Sequence, residues 1–312
     1  MPSHFPLLLE SKPVIRMMTR TLFTMLPLSK FQVAGAQMRC YHKRLVFNFS
    51  PPLPSKVMNF ALSKIFPTIG VLLVSSAAFG AESADELIQK GDAYYAKLAA
   101  TDALKFYLPA EKLEPNNVRL LVRISREYRH LMSDAALPAA KCSLGGTALS
   151  YAKRAVTLAP NDPEAQLAVA ISYGKLQPYE SIRDRLDASR VIKDAVDKVI
   201  RLDPRSDLGW HVLGRWHMAF AEVSPAKRAL ALATYGKLPD STYEDAAKCF
   251  EKAIEINPNR LMHYIQLGRA YVHMGRVNDA RRLITQGLAM RETEKDDPET
   301  KRLGKEVLAS LH

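Results

Sequence analysis

Leu113-Glu114-Pro115-Asn116, Leu158-Ala159-Pro160-Asn161, Leu202-Asp203-Pro204-Arg205 and Ile256-Asn257-Pro258-Asn259 share one pattern: an aliphatic residue with proline two positions on. Each closes one amphipathic stretch and opens another. Proline cannot donate a backbone hydrogen bond and disfavours helix in the residue before it, so it punctuates helices rather than continuing them. Asn161-Asp162-Pro163-Glu164 restarts a helix well, with Asp as the cap, Pro in the first turn and Glu at the positive end of the dipole. Asp297-Pro298-Glu299 repeats the device and predicts a last helix over Pro298–Leu311 whose charged face caps the array.

Counting outward from each proline places five helix pairs in one register. The first pair carries Leu87, Gly91 and Tyr94, then Ala103, Tyr107 and Ala110. The second carries Leu121, Ile124, Ser125 and Tyr128, then Ala148, Ala152 and Ala155. The third opens with Val169, Ala170 and Tyr173, and its second helix (Ile192, Val196, Val199) is degenerate. The fourth has Trp210, Leu213 and Gly214, then Ala246, Phe250 and Ala253. The fifth has Tyr264, Leu267, Gly268 and Tyr271, then Ala280, Ile284 and Gly287. Small residues at helix crossings beside large ones are the signature of tetratricopeptide-like repeats, whose period is about 34 residues. The proline spacings of 45, 44 and 54 are longer. The excess falls at Ser133–Gly145, Gln177–Arg185 and Val223–Ser241, each between the two helices of one repeat, and insertions there are expected to project from one face. The fold class is all-α: a helical repeat array of about five helix pairs with a C-terminal capping helix.

The first eighty residues differ in kind. From Met1 to Ala81 there are nine basic residues against the single acid Glu10, so this segment carries most of the +12 net charge. The high isoelectric point belongs mainly to the leader and does not make the array a nucleic-acid binder. Met58 begins a signal-like pattern, with Lys64, an apolar run over Ile65–Ala78 and small residues near Gly80. The expected organisation is an N-terminal extension over 1–57, a signal-like apolar segment over 58–81 and a repeat domain over 82–312. The expected location is the periplasm or the exterior after cleavage near Gly80. The alternatives are a mitochondrial transit peptide, with Arg39–Arg44 bordering a processing site, or a retained membrane anchor. Of three cysteines, Cys142 and Cys249 lie in the array. The simplest reading is a free loop thiol at 142 and a buried helix thiol at 249; one disulfide between them is the other.

Nothing points to catalysis. His211 and His217 are six apart, so they do not share a helix face, and His263 and His273 also lack metal-ligand spacing. His217 stands where other repeats have Tyr and reads as a packed, hydrogen-bonded residue. Gly145-Gly146 reads as the flexible end of an insertion, not a phosphate loop. No metal and no cofactor is expected. In such arrays the first helix of each repeat lines the concave face. Its inward positions supply Arg119, Arg126, Arg129, Lys175, His211, Arg215, Arg269 and His273, interleaved with Val122, Leu167, Met218, Ile265 and Val272. A mainly basic groove with apolar patches suits a protein segment with acidic residues or a terminal carboxylate, which arginine holds in bidentate fashion. An anionic phospholipid fits the same description.

One stretch is more specific. Leu213-Gly-Arg-Trp216, Tyr235-Gly-Lys-Leu-Pro239, Thr242-Tyr-Glu-Asp-Ala246 and Phe250-x-Lys-Ala253 follow in the order found in the regulator of microtubule dynamics family, which this chain resembles from about Glu82 to Leu311. The tail Gly275-Arg-Val-Asn-Asp-Ala280 and the charged last helix match as well. The resemblance implies an all-helical repeat domain without catalytic activity, and makes the long fourth period the family's own insertion. It also implies links to microtubules, relevant only in a eukaryote, and to mitochondria and phospholipid for some members. The signal-like leader departs from the family pattern.

Overall fold

A computed structural model describes residues 82–311. The expectations for residues 1–57 and 58–81, including the cleavage site and the transit-peptide alternative, lie outside the described residues. Among the described residues there is no strand, and no helix is long and apolar enough to cross a membrane. The helices are α1 (Ala84–Tyr95), α2 (Ala100–Leu113), α3 (Val118–Asp134), α4 (Pro138–Leu158), α5 (Pro163–Leu176), α6 (Ile182–Leu202), α7 (Asp207–Ala221), α8 (Pro225–Tyr235), α9 (Tyr243–Ile256), α10 (Leu261–His273), α11 (Val277–Ala289) and α12 (Asp297–Ala309). The five repeats are α1–α2, α3–α4, α5–α6, α7–α9 and α10–α11, each pair packed together.

The recurring tetrapeptide is one turn built four times. Glu114, Ala159, Asp203 and Asn257 end their helices with φ between −128° and −138° and ψ between 72° and 89°, outside the helical region that a following proline disfavours. Three of the next helices are capped by side chains: Asn117 accepts from the Leu120 N–H, Asp162 from Ala165 and Ser206 from Gly209. The proline carbonyl is then satisfied from six residues on. Gln166 donates to Pro160, Trp210 to Pro204 and Tyr264 to Pro258, at 2.7–3.0 Å. Leu121 cannot donate, and there Arg154 of α4 reaches the Pro115 carbonyl instead.

In three of the pairs, a glycine of the first helix receives a large side chain from the second. A Cβ on Gly214 would lie 2.7 Å from the Phe250 ring, and one on Gly91 or Gly268 would come closer still to Tyr107 or Ile284. In the second repeat Ser125 takes that place, fully buried and donating to the Ala148 carbonyl at 2.8 Å. In the third, the degenerate helix still buries Ile192, Val196 and Val199.

Only one insertion projects. The first is absorbed into α4, and the second forms a short 3-10 turn over Gln177–Tyr179 followed by the first residues of α6; both helices run to 21 residues. Gly145 is therefore not a flexible end; it sits in α4 against Leu176 and Met132. Cys142 also lies within α4 rather than in a loop, and Cys249 is a free buried thiol, so the two do not pair. Burial pushes the Cys249 thiol up to about 12. The third insertion forms α8, which buries none of its residues and leaves Leu230 70% and Leu232 60% exposed. α12 closes the array through an apolar face: Gly304 approaches Ile265, Ile284 and Leu288, and Val307 and Leu311 are buried.

Candidate functional site

α3, α5, α7 and α10 neighbour one another along one face of the array, the concave face of a helical-repeat solenoid. Arg126, Arg129, Lys175, Arg215 and Arg269, five of the eight expected residues, line up there as cations, with His273 beside Arg269. Burial lowers the pKa of Arg129, Lys175 and Arg269, and neighbouring cations add to it: Arg126 at Arg129, Arg129 and Arg215 at Lys175, and Arg215 at Arg269.

Each of the five is held differently. The Arg126 guanidinium lies 3.4 Å over the Tyr95 ring, its Nε donates to Glu127 at 3.1 Å, and its Nη2 is buried without a hydrogen-bond partner. Arg129 is buried and donates to the Ser125 and Ser172 hydroxyls at 2.9 and 3.2 Å. Burial pushes its pKa down to about 10, with Arg126 adding to the shift. Lys175 donates to Ser133 at 2.7 Å and pairs with Asp296 at 2.7 Å. Burial lowers its pKa and Asp296 offsets part of that. Arg269 binds Gln266 at 2.7 Å and Glu222 at 3.4 Å. Arg215 is exposed and makes no hydrogen bond or ion pair among the described residues, although the surrounding walls desolvate it enough to lower its pKa.

Of the other three, His273 shares Glu222 with Arg269, while Arg119 and His211 stand apart. Arg119 is exposed in the first turn of α3. His273 stacks flat on Tyr243, 4.3 Å between ring centres, and burial lowers its pKa. His211 is not a groove residue: it is buried against Phe250, with its Nδ1 2.9 Å from the Nδ1 of His263. Met218 and Ile265 are likewise core residues. His263 Nε2 meets the Asp207 carboxylate at 3.1 Å, and Arg260 meets it at 2.9 Å. Burial drives the His211 pKa well below its ordinary value, and the His263 charge acts in the same direction. Among the described residues no cluster of His, Cys, Asp or Glu has the makings of a metal site.

The expected basic groove is also less basic than its arginines suggest. Glu127 is fully buried beside Arg126 and His130, and Glu222 lies between Arg269 and His273. Asp296 comes from the far end of the chain. Burial alone would raise its carboxyl, but Lys175, Ser133 and His130 together hold it below its ordinary value. The acidic run Glu292-Thr-Glu-Lys-Asp-Asp297 was the visible signal for this residue. Nothing in its spacing says which repeat it reaches.

Residues 81–312 match the family model described as Regulator of microtubule dynamics protein 1-3. The chain belongs to this family. The Regulator of microtubule dynamics protein 1 of Mus musculus is 28% identical over 211 residues, spanning 67% of this chain and 68% of the relative. The Rattus norvegicus protein of that name is 34% identical over 128 residues, 41% of either chain. A thermophilic TPR protein of Thermus thermophilus superposes with a TM-score of 0.53 at 16% identity, covering 73% of this chain and 100% of the other. That likeness speaks to fold alone. This member of the regulator of microtubule dynamics family is a helical-repeat protein of the kind that serves as an interaction scaffold.

Proposed function

We propose that the chain is a non-catalytic adaptor that binds an anionic segment of a protein partner on the concave face. The observation that carries the reading is Arg215. It is an exposed cation without a partner, flanked along the same face by Lys175 and Arg269. A carboxylate brought there gains a charge-assisted, bidentate contact and displaces no intramolecular bond. Arg269 already serves Glu222, so it is a wall of the site rather than its reading head. The relatives' name makes microtubules a candidate partner in a eukaryote.

The test is capture of partners by the full chain and by Arg215→Glu. Binding is expected to fall by about a hundredfold, as for the loss of a close charge pair with repulsion in its place, while helicity and melting stay unchanged. Capture undiminished by the substitution would remove the concave face from consideration. Native mass spectrometry of the gently isolated protein distinguishes the lipid alternative, since a carrier of anionic phospholipid would retain a bound lipid mass.

A further inference from the structure

The turn between α11 and α12 does more than connect them. Asp296 accepts from Ser133 at 2.8 Å and pairs with Lys175, residues that lie 163 and 121 positions away in the chain. Lys295 pairs with Asp134 at 2.8 Å, and Glu294 pairs with Arg260 at 2.8 Å. The turn therefore touches α3, α5 and the start of α10 at once. Its shape is set from within: the buried Asp297 carboxylate accepts from the Thr293 and Glu294 N–H groups at 2.7 and 2.8 Å. Asp296 occupies the N-cap position of α12 yet makes no capping bond. It forgoes the local capping contact and reaches across to other repeats. Asp297 is likewise not the cap that the sequence predicts.

We infer that Glu292–Asp297 is a built-in occupant of the ligand face, an acidic segment held in cis where an acidic segment of a partner protein docks. This rests on the concave face being the ligand site. The occupant is incomplete. It serves Lys175 and Arg260, but Arg215 stays unpaired and Arg126 Nη2 stays buried without a hydrogen-bond partner. A partner segment with at least two carboxylates, one for Lys175 and another for Arg215, makes every contact of the turn's Asp296 and adds one. That surplus is what displacement needs, because a tethered occupant competes at an effective concentration of about millimolar. The adaptor is then closed until a sufficiently acidic partner opens it.

The probe is a fluorescent peptide of the chain's own residues 291–300, titrated by anisotropy into the full chain and into the Glu294→Gln, Asp296→Asn double variant. The expected result is binding at least about tenfold tighter to the variant, since the cis competitor is weakened, and loss of that binding when Lys175→Glu is added. Equal affinity for both proteins, still lost with Lys175→Glu, overturns the cis occupancy and leaves the concave face standing as the site. Absence of binding to either protein overturns both.

Discussion

Tyr107 against Gly91, Phe250 against Gly214 and Ile284 against Gly268 repeat one contact in three repeats. The concave face repeats nothing: Arg126 stacks on Tyr95, Arg129 is buried on two serines, Lys175 meets Asp296, and Arg215 has no partner. The same first helices contribute to both surfaces. The seam between paired helices is constrained by volume, because two backbones approach only where a side chain is missing. The concave face is constrained by charge balance, which many arrangements satisfy. The first constraint leaves a period in the sequence and the second does not.

The largest break in this contrast is expected at the seam. Phe250→Ala removes a fully buried ring and should cost about 3–5 kcal/mol in denaturant unfolding, the range for large aromatic truncations. A loss below about 1 kcal/mol would mean that the seam is not the principal source of stability.

The buried imidazole pair behind that seam gives the next effect. The His211 pKa is depressed, so the unfolded chain takes up a proton on acidification that the folded chain refuses. Stability should therefore fall as pH drops below about 6.5 and keep falling towards the folded pKa, by at most about 1.4 kcal/mol per pH unit for this group. His211→Phe should flatten the slope. It should not abolish it, because burial also lowers His217 and His273. A slope identical in the variant would separate His211 from the acid response.

The smallest effect belongs to the concave face. Lys175 and Asp296 keep 23% and 46% of their side-chain surface exposed, so solvent screens much of their attraction. Asp296→Ala should cost about 1 kcal/mol or less, shrinking further at high salt. On a domain of this size that lowers the melting temperature by about 2–4 °C. A loss as large as that of Phe250→Ala would make the turn a structural element rather than a displaceable one.

Most of the architecture was legible because it rests on local rules. Proline at 115, 160, 204 and 258 fixes the backbone before it, and glycine at 91, 214 and 268 marks where helices cross. The insertions were legible only as extra length. Ala135–Leu137 is all that remains outside helix in the first, since Pro138 can open α4 as soon as the chain leaves α3. Of the candidate site, the helix-face rule found Arg126, Arg129, Lys175, Arg215 and Arg269 but could not see which were already engaged. His211 was misplaced because its partner His263 lies 52 residues away, and helical spacing carries no information at that range.

The sequence by itself determined the helix ends at the four proline turns, the pairing within each repeat and the family, because these follow from residues within about one repeat of each other. Tertiary structure alone decided which cations stay available. That outcome depends on how the array brings Asp296 to Lys175 and Asp207 to His263. Coulombic contacts between side chains on distant repeats are set by three-dimensional distance, and no periodicity along the chain encodes it.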